Sequence, residues 1–405
     1  MKKSIIYFFV IFAFCSISCN ADMGGVENPS FDGGLVFSKS QEKLSAKEKN
    51  FEISLFRNII QKEKGKNTMI SPFSASLCLS AISAGSEGET RDEIVSAMGL
   101  GSSTDEEIAA YYNAIVNNIT DNKDMTVTVA NAIWSRVPLK KEYTDFVSEK
   151  YGSSVYQIEK SDDMNQSFRK WIDTEYSDSS LFSNNNFDET VVALANLMTI
   201  DGEWSTGKMS SYEGEFTNVE GVRSDCRYIK SKARMLSCFD KNVESVSIPL
   251  AGGKMSFIVL KPVGGKSFDD FAQSLTARKW SDWIEKMNEN NVVYSIPVFS
   301  DSFESSDSFK AALENMGIES AFSSKAAFNK MSDVSLYVST IIQSGIMKVD
   351  ENGISAAAST LAEMKYTGVS DPNISYREFV ADSPFVYAVV ENSKHTLLLL
   401  GTHVN

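Results

Sequence analysis

From Val334 to Val349 the chain alternates, with Leu336, Val338, Thr340, Ile342 and Ile346 on one parity. That period of two is the mark of a strand, and the run is far longer than the average strand of about five or six residues. Backbone donors and acceptors along so long a strand find partners only in a large sheet. The chain is therefore expected to build a broad sheet late in its sequence.

The remaining pattern mixes helices with strands. Phe51, Leu55, Phe56, Ile59 and Ile60 recur at helical spacing, and Pro72 to Ala84 reads as a small, apolar helix stopped by Gly85. Thr90-Arg91-Asp92-Glu93 and Thr104-Asp105-Glu106-Glu107 each carry the hydroxyl and carboxylate of a helix-starting capping box. Strands are predicted over Val127 to Trp134, Val191 to Thr199, Val243 to Pro249, Met255 to Leu260 and Val292 to Phe299, with helices over Phe268 to Met287 and Phe309 to Met316. The 405 residues exceed the usual single-core ceiling of about 250 to 300, yet no Pro/Gly linker or change of composition divides them. The expectation is one large α+β domain over residues 35 to 405, with N-terminal helices and a large central mixed sheet.

Composition removes several functions. A net charge of -14 repels polyanions, so nucleic acid is not an expected partner. Only two histidines occur, His395 and His403, which leaves little for a Ser/His/Asp set or a metal site. No Walker-type glycine loop or spaced carboxylate pair appears. The chain reads as a non-enzyme without cofactor or metal. Cys78, among apolar neighbours, reads as core; Cys226 and Cys238 either pair or stay reduced.

The first residues form an address. Lys2 and Lys3, the apolar run Ile5 to Phe14 and the small residues Ser16 and Ser18 have the layout of a secretory signal, too short to span a bilayer. Cys19 follows directly and resembles the acylated cysteine of a bacterial lipobox; the alternative is plain cleavage near Ala21. The expected arrangement is a signal over residues 1 to 18, a lipidated tether over 19 to 34, and a monomeric body held at the cell envelope, in the outer membrane or on its outer surface.

Asn67-Thr68-Met69-Ile70-Ser71-Pro72-Phe73-Ser74-Ala75-Ser76, leading into Gly85 and Glu89-Thr90-Arg91, resembles the second-helix region of the serpins. Further segments resemble that family in family order: Ala130-Asn131-Ala132-Ile133-Trp134, Ala195-Asn196 with Gly202-x-Trp204, Leu313 to Ile318 with Ala321-Phe322-Ser323, and Phe379-Val380-Ala381-Asp382-Ser383-Pro384-Phe385. Gly401, Val404 and Asn405 fit the family's ending. The resemblance runs from about residue 50 to the C-terminus.

It implies an exposed reactive loop at about residues 350 to 378, offered to a protease as bait and inserted into the central sheet once cut, so that the acyl-linked enzyme is dragged away and distorted. Glu351, Gly353, Ile354, Ser355, Ala356, Ala357, Ala358, Ser359 and Thr360 are similar to the hinge of inhibitory members. Short uncharged side chains suit a segment that must pass between packed strands. Taken alone, Ala356-Ala357-Ala358 reads as exposed helix; its place before the signature reverses that reading.

The family count puts the scissile bond at Thr367-Gly368, and a longer distal arm leaves Lys365-Tyr366 or Tyr366-Thr367 open. Lys365 suits trypsin-like, Tyr366 chymotrypsin-like, and Thr367 elastase-like or subtilisin-like enzymes. The implied function is suicide inhibition of serine proteases, extending to papain-like cysteine proteases. The alternative is a non-inhibitory binding or storage protein. Ser71, Ser74, Asn196, Trp204 and Gln343 resemble the residues around which the sheet opens. Gln343-Ser344-Gly345 replaces the family's His-Lys-Ala, Ile354 replaces its Thr or Ser, and Lys208 stands where an aromatic is usual.

Overall fold

The structure is a computed structural model that describes residues 34–159, 163–175, 187–188, 190–305, 307–355 and 375–405. The helices are α1 (Lys39–Lys62), α2 (Pro72–Gly85), α3 (Gly88–Ala97), α4 (Asp105–Thr120), α5 (Lys141–Tyr151), α6 (Met164–Glu175), α7 (Phe268–Gln273), α8 (Ala277–Glu285) and α9 (Asp307–Asn315). The strands are β1 (Thr68–Ile70), β2 (Met125–Ser135), β3 (Ser154–Gln157), β4 (Val192–Glu203), β5 (Ser210–Thr217), β6 (Arg223–Phe239), β7 (Val243–Pro249), β8 (Met255–Pro262), β9 (Asn288–Pro297), β10 (Phe299–Ser305), β11 (Thr340–Val349), β12 (Gly353–Ser355), β13 (Arg377–Val380), β14 (Phe385–Glu391) and β15 (Thr396–His403).

Two sheets organise them. A nine-stranded sheet runs β1-β15-β14-β8-β7-β6-β9-β13, with β5 branching onto β6. A six-stranded mixed sheet runs β10-β11-β12-β4-β2-β3. Between the sheets lies α2, whose fourteen residues are all buried; small Ser and Ala side chains let it pack close on both. Proline at its first position and Ser71 as its cap begin it, the Ser71 hydroxyl accepting from Ser74 N–H at 3.1 Å. On the outer face of the six-stranded sheet, α6 sets Phe168, Trp171 and Ile172 over the small residues Ala130, Ala132, Ala193 and Ala195. Trp134 from β2 anchors this second core, stacking edge-on against Trp171 and donating to Ser167 Oγ at 3.0 Å.

Several sequence expectations need correction. The long alternating stretch is a strand only over its last ten residues: Leu336 and Val338 still turn inward, but Val334 and Tyr337 are exposed. The preceding segment is tied to the body by single backbone bonds such as Val338 N–H to Ala321 O, with no flanking ladder. Phe268 to Met287 is two helices, because Thr276 caps a fresh start at α8. Thr104 and Glu107 do form a capping box, whereas Thr90 and Glu93 lie inside α3 and hold a different segment: Glu93 accepts from Ser320 N–H at 2.8 Å and Thr90 Oγ1 from Ala327 N–H at 3.0 Å. Helix α1 begins at Lys39, capped by Ser38 and Gln41, well before the apolar spacing becomes visible. Cys78, Cys226 and Cys238 are all free thiols, and burial pushes Cys78 up to about 12.

Candidate functional site at the opening of the six-stranded sheet

Strands β11 and β4 run parallel and pair from Thr340↔Ala193 to Ser344↔Leu197. Beyond that point β12 lies between them, antiparallel to both: Val349↔Ile354 and Lys348↔Ser355 on one side, Ile354↔Gly202 and Gly353↔Glu203 on the other. Of the exposed loop expected over about residues 350 to 378, residues 356–374 lie outside the described residues, and only its ends can be placed. Residues 353–355 are a strand inside the sheet, and 377–380 are the edge strand β13.

The turn that feeds β12 is clamped. Its three carbonyls are all engaged by one segment: Asp350 O accepts from Trp204 Nε1 at 2.8 Å, Glu351 O from Met209 N–H at 2.8 Å, and Asn352 O from Trp204 N–H at 3.0 Å. Asp350 Oδ1 accepts from Asn352 N–H at 2.8 Å and Lys348 Nζ lies 3.0 Å from Oδ2. Burial alone would raise this carboxyl, but those donors outweigh it and hold Asp350 below the usual carboxylate range. Arg227 closes the outside with an ion pair to Glu351 at 2.6 Å. Trp204 is fully buried, with its ring edge-on to Phe257.

Two glycines let β12 enter. A Cβ on Gly353 would collide with the carbonyl oxygen of Gly202 and stand 2.8 Å from Glu203 Cα. Gly202 in turn leaves room for Met125: a Cβ at 202 would lie 2.5 Å from Met125 Cε and 3.4 Å from its Cβ. Ile354 is 1% exposed and joins the main core, so its bulk and β-branching are accommodated. Beside it opens a cavity of about 550 Å³ lined by Met125, Asp201, Gly202, Asp350 and Ile354 among others.

Below the opening, the pair stays shut around polar side chains. Gln343 Oε1 accepts from Ser71 N–H at 3.1 Å and its Nε2 donates to Ser71 O at 2.6 Å, so the amide spans the backbone of the α2 cap in both directions. The Ser71 hydroxyl donates to Leu398 O at 2.7 Å, linking the two sheets. Asn196, in register with Gln343, donates to Asn131 Oδ1 at 2.6 Å. Ser74 Oγ and Asn196 Oδ1 are buried with no hydrogen-bond partner among the described residues.

The structure thus gathers Ser71, Asn196 and Gln343 under the paired strands, and Trp204, Glu351, Gly353, Ile354 and Ser355 at the opening above. Ser74 lies one turn into α2. Ala356, Ala357, Ala358, Ser359, Thr360, Lys365, Tyr366, Thr367 and Gly368 lie outside the described residues, as does Cys19. Sequence reading quoted Gly202 beside Trp204, and Asp350 at the head of the hinge-like segment, without giving either a part in this site, and it missed Arg227. The spacing of Gly202 to Trp204 was the visible signal for the first, but nothing local joins Arg227 to a residue more than a hundred positions away.

With that geometry established, comparison with known proteins places the chain in a class. The family described as "Serpin (serine protease inhibitor)" matches residues 46–405, and the chain belongs to it. Iripin-3 of Ixodes ricinus is 26% identical over 382 residues, covering 91% of this chain and 96% of the relative. An uncharacterized serpin-like protein of Methanosarcina acetivorans is 25% identical, covering 88% and 87%. Among solved structures, the thermophilic serpin tengpin in its native state superposes with a TM-score of 0.79 at 24% identity, covering 92% and 96%. Human thyroxine-binding globulin complexed with its hormone superposes with the same TM-score at 18% identity, covering 90% and 99%. The α+β fold of helices on large mixed sheets is that of the serpins.

Proposed function

We propose that this serpin is an irreversible, loop-inserting inhibitor of serine proteases. The observation that carries the reading is the seat of Gly353–Ser355 between β11 and β4, antiparallel to both. A strand entering there, continued by the short residues Ala356, Ala357 and Ala358, has the direction that insertion of a severed loop needs. An insertion of about fifteen residues at roughly 3.3 Å each carries an attached enzyme about 50 Å. Incubation with trypsin-like, chymotrypsin-like, elastase-like and subtilisin-like enzymes is expected to give an SDS-resistant complex with at least one. The mass of the released fragment then chooses among Lys365-Tyr366, Tyr366-Thr367 and Thr367-Gly368. The cut protein is expected to melt higher than the uncut one, and equal melting would overturn the reading.

The address reading completes it: secretion by the N-terminal signal and lipidation at Cys19 would hold the inhibitor at a bacterial cell envelope. Radiolabelled fatty acid incorporated by the parent and lost in Cys19→Ala tests this.

A second reading, a non-inhibitory binder, has one observation in its favour. A cavity of about 240 Å³ opens on the nine-stranded sheet, lined by Leu236, Ile258, Ile284, Met287, Val390 and His395 among others. Clean loop cleavage without lasting inhibition by any of the four enzyme classes would favour it.

A further inference from the structure

Strand β6 touches both stems of the segment between Ser355 and Ser375. On the proximal side Arg227 is paired with Glu351, in the turn that leads to Ser355. On the distal side the Lys232 ammonium sits 5.9 Å from the ring centroid of Tyr376. Over the length between and beyond, strand alternation turns Lys230, Lys232 and Arg234 outward, while Ile229 and Met235 enter the core.

These cations are sparsely answered within the chain. Arg234 is paired with Glu289 at 2.5 Å, the two side chains being 61% and 40% exposed. Lys230 and Lys232 have no carboxylate within ion-pair distance among the described residues; Lys230 lies 5.8 Å over the exposed ring of Tyr212, which stacks on Tyr228. Across β9 the register runs from Lys232 to Val293 and on to Glu378 of β13, with the Arg377 guanidinium over Phe239 beside it. By the same register Arg377 pairs with Val292 and faces the other way, so the stripe carries Lys230, Lys232 and Arg234 against Glu289 and Glu378, on a chain whose net charge is -14.

We propose that this stripe is a docking surface for an acidic patch on the protease that attacks the loop. The proposal rests on the inhibitor reading for its partner, and on charge and reach for its place. From Ser375 back to Gly368 is seven residues, at most about 25 Å of chain. A protease of about 230 residues has a radius of gyration of about 17 Å, so an enzyme gripping that bond overhangs the loop stems and the strand joining them. Exposed lysines held over tyrosines keep their ammonium protons free for an incoming carboxylate. Such a surface acts on encounter, raising the association rate and its salt dependence, and leaves the trapping step alone.

The test compares the full secreted protein with Lys230→Glu/Lys232→Glu and with Lys39→Glu/Lys43→Glu, the same charge change on the exposed side of α1. Thermal unfolding first checks that all three are folded. Association rate constants are then measured with each of the four protease classes at about 50 mM and about 300 mM salt, where the screening length falls from about 14 to about 6 Å. With the enzyme of most acidic surface, the stripe variant is expected to associate about tenfold more slowly at low salt and to lose most of the salt dependence, the remote variant changing little.

Equal rates for the two variants would overturn the proposal. Unchanged protease rates with selective loss of binding to a sulfated polysaccharide would overturn it in favour of a polyanion site. If no SDS-resistant complex forms, the inhibitor reading fails while the docking surface is still read from kcat/KM for loop cleavage, on which the same stripe effect is expected.

Discussion

In the nine-stranded sheet, β14 and β15 are buried along their whole lengths and hydrogen-bonded to neighbours on both edges. In the six-stranded sheet, β11 and β4 part after five pairs, and the wedge between them is held by a turn, two glycines and one tryptophan. One sheet is closed by large apolar side chains such as Leu400 and Tyr387; the other lays small alanines under α6 and keeps polar groups at its seam. On the proposed inhibitor reading, the contrast assigns the stability of the uncut molecule to the first sheet and its capacity to change to the second.

The largest effect that would sharpen this contrast is functional. Ala357→Arg is expected to leave the uncut protein folded but to abolish the SDS-resistant complex, since a charged side chain would have to be desolvated on entering the sheet. Full trapping by that variant would remove the hinge assignment. Next in size, Leu400→Ala in β15 is expected to cost about 2–5 kcal/mol in denaturant unfolding of the uncut protein. Gly353→Val is expected to cost only about 1–3 kcal/mol, by expelling β12, with new protease cleavage close to residue 353 as its second sign. A Gly353 effect as large as that of Leu400 would break the comparison.

The contrast extends to pH. Glu52, on the face of α1 that packs against β15, is driven well above the usual carboxylate range by burial and then by the neighbouring Glu48; Lys49 and the Leu397 N–H oppose the rise. Glu48 itself accepts from the Tyr111 and Tyr112 hydroxyls, both at 2.6 Å. A carboxyl whose folded pKa is raised contributes stability that is complete below its unfolded value near 4.5 and is lost as pH rises toward the folded value. Glu52→Gln is therefore expected to flatten the decline above that point and to be more stable than the parent at pH 8, by an amount on the order of 1 kcal/mol. Smallest of all, Ser74→Ala removes a buried hydroxyl without a partner and is expected to stabilise the uncut form by up to about 1 kcal/mol in the same titration.

Much of this was legible along the chain, and the reasons are local. The strand of Val243–Pro249, the cap at Thr104 and the blocks around Asn196 and Trp204 carry their signals within a few residues. What escaped depends on contacts far apart in sequence. Alternation from Val334 to Ser339 does not reveal that no neighbouring ladder is there, and Thr90 with Glu93 looks like a cap until Ser320 arrives to use both side chains. A three-residue strand at Gly353 is invisible without Gly202 opposite.

Helix-coil and hairpin kinetics teach that an ordered segment is slow to start and quick to lengthen. If the proposed insertion occurs, the clamp of Trp204 and Met209 on the turn at Asp350–Asn352 means that the first rungs of the added strand exist before any bond is cut. A severed loop would therefore face no nucleation step; its speed would be governed by elongation downward, past the Gln343 amide on Ser71 and beneath the aromatic cover of α6.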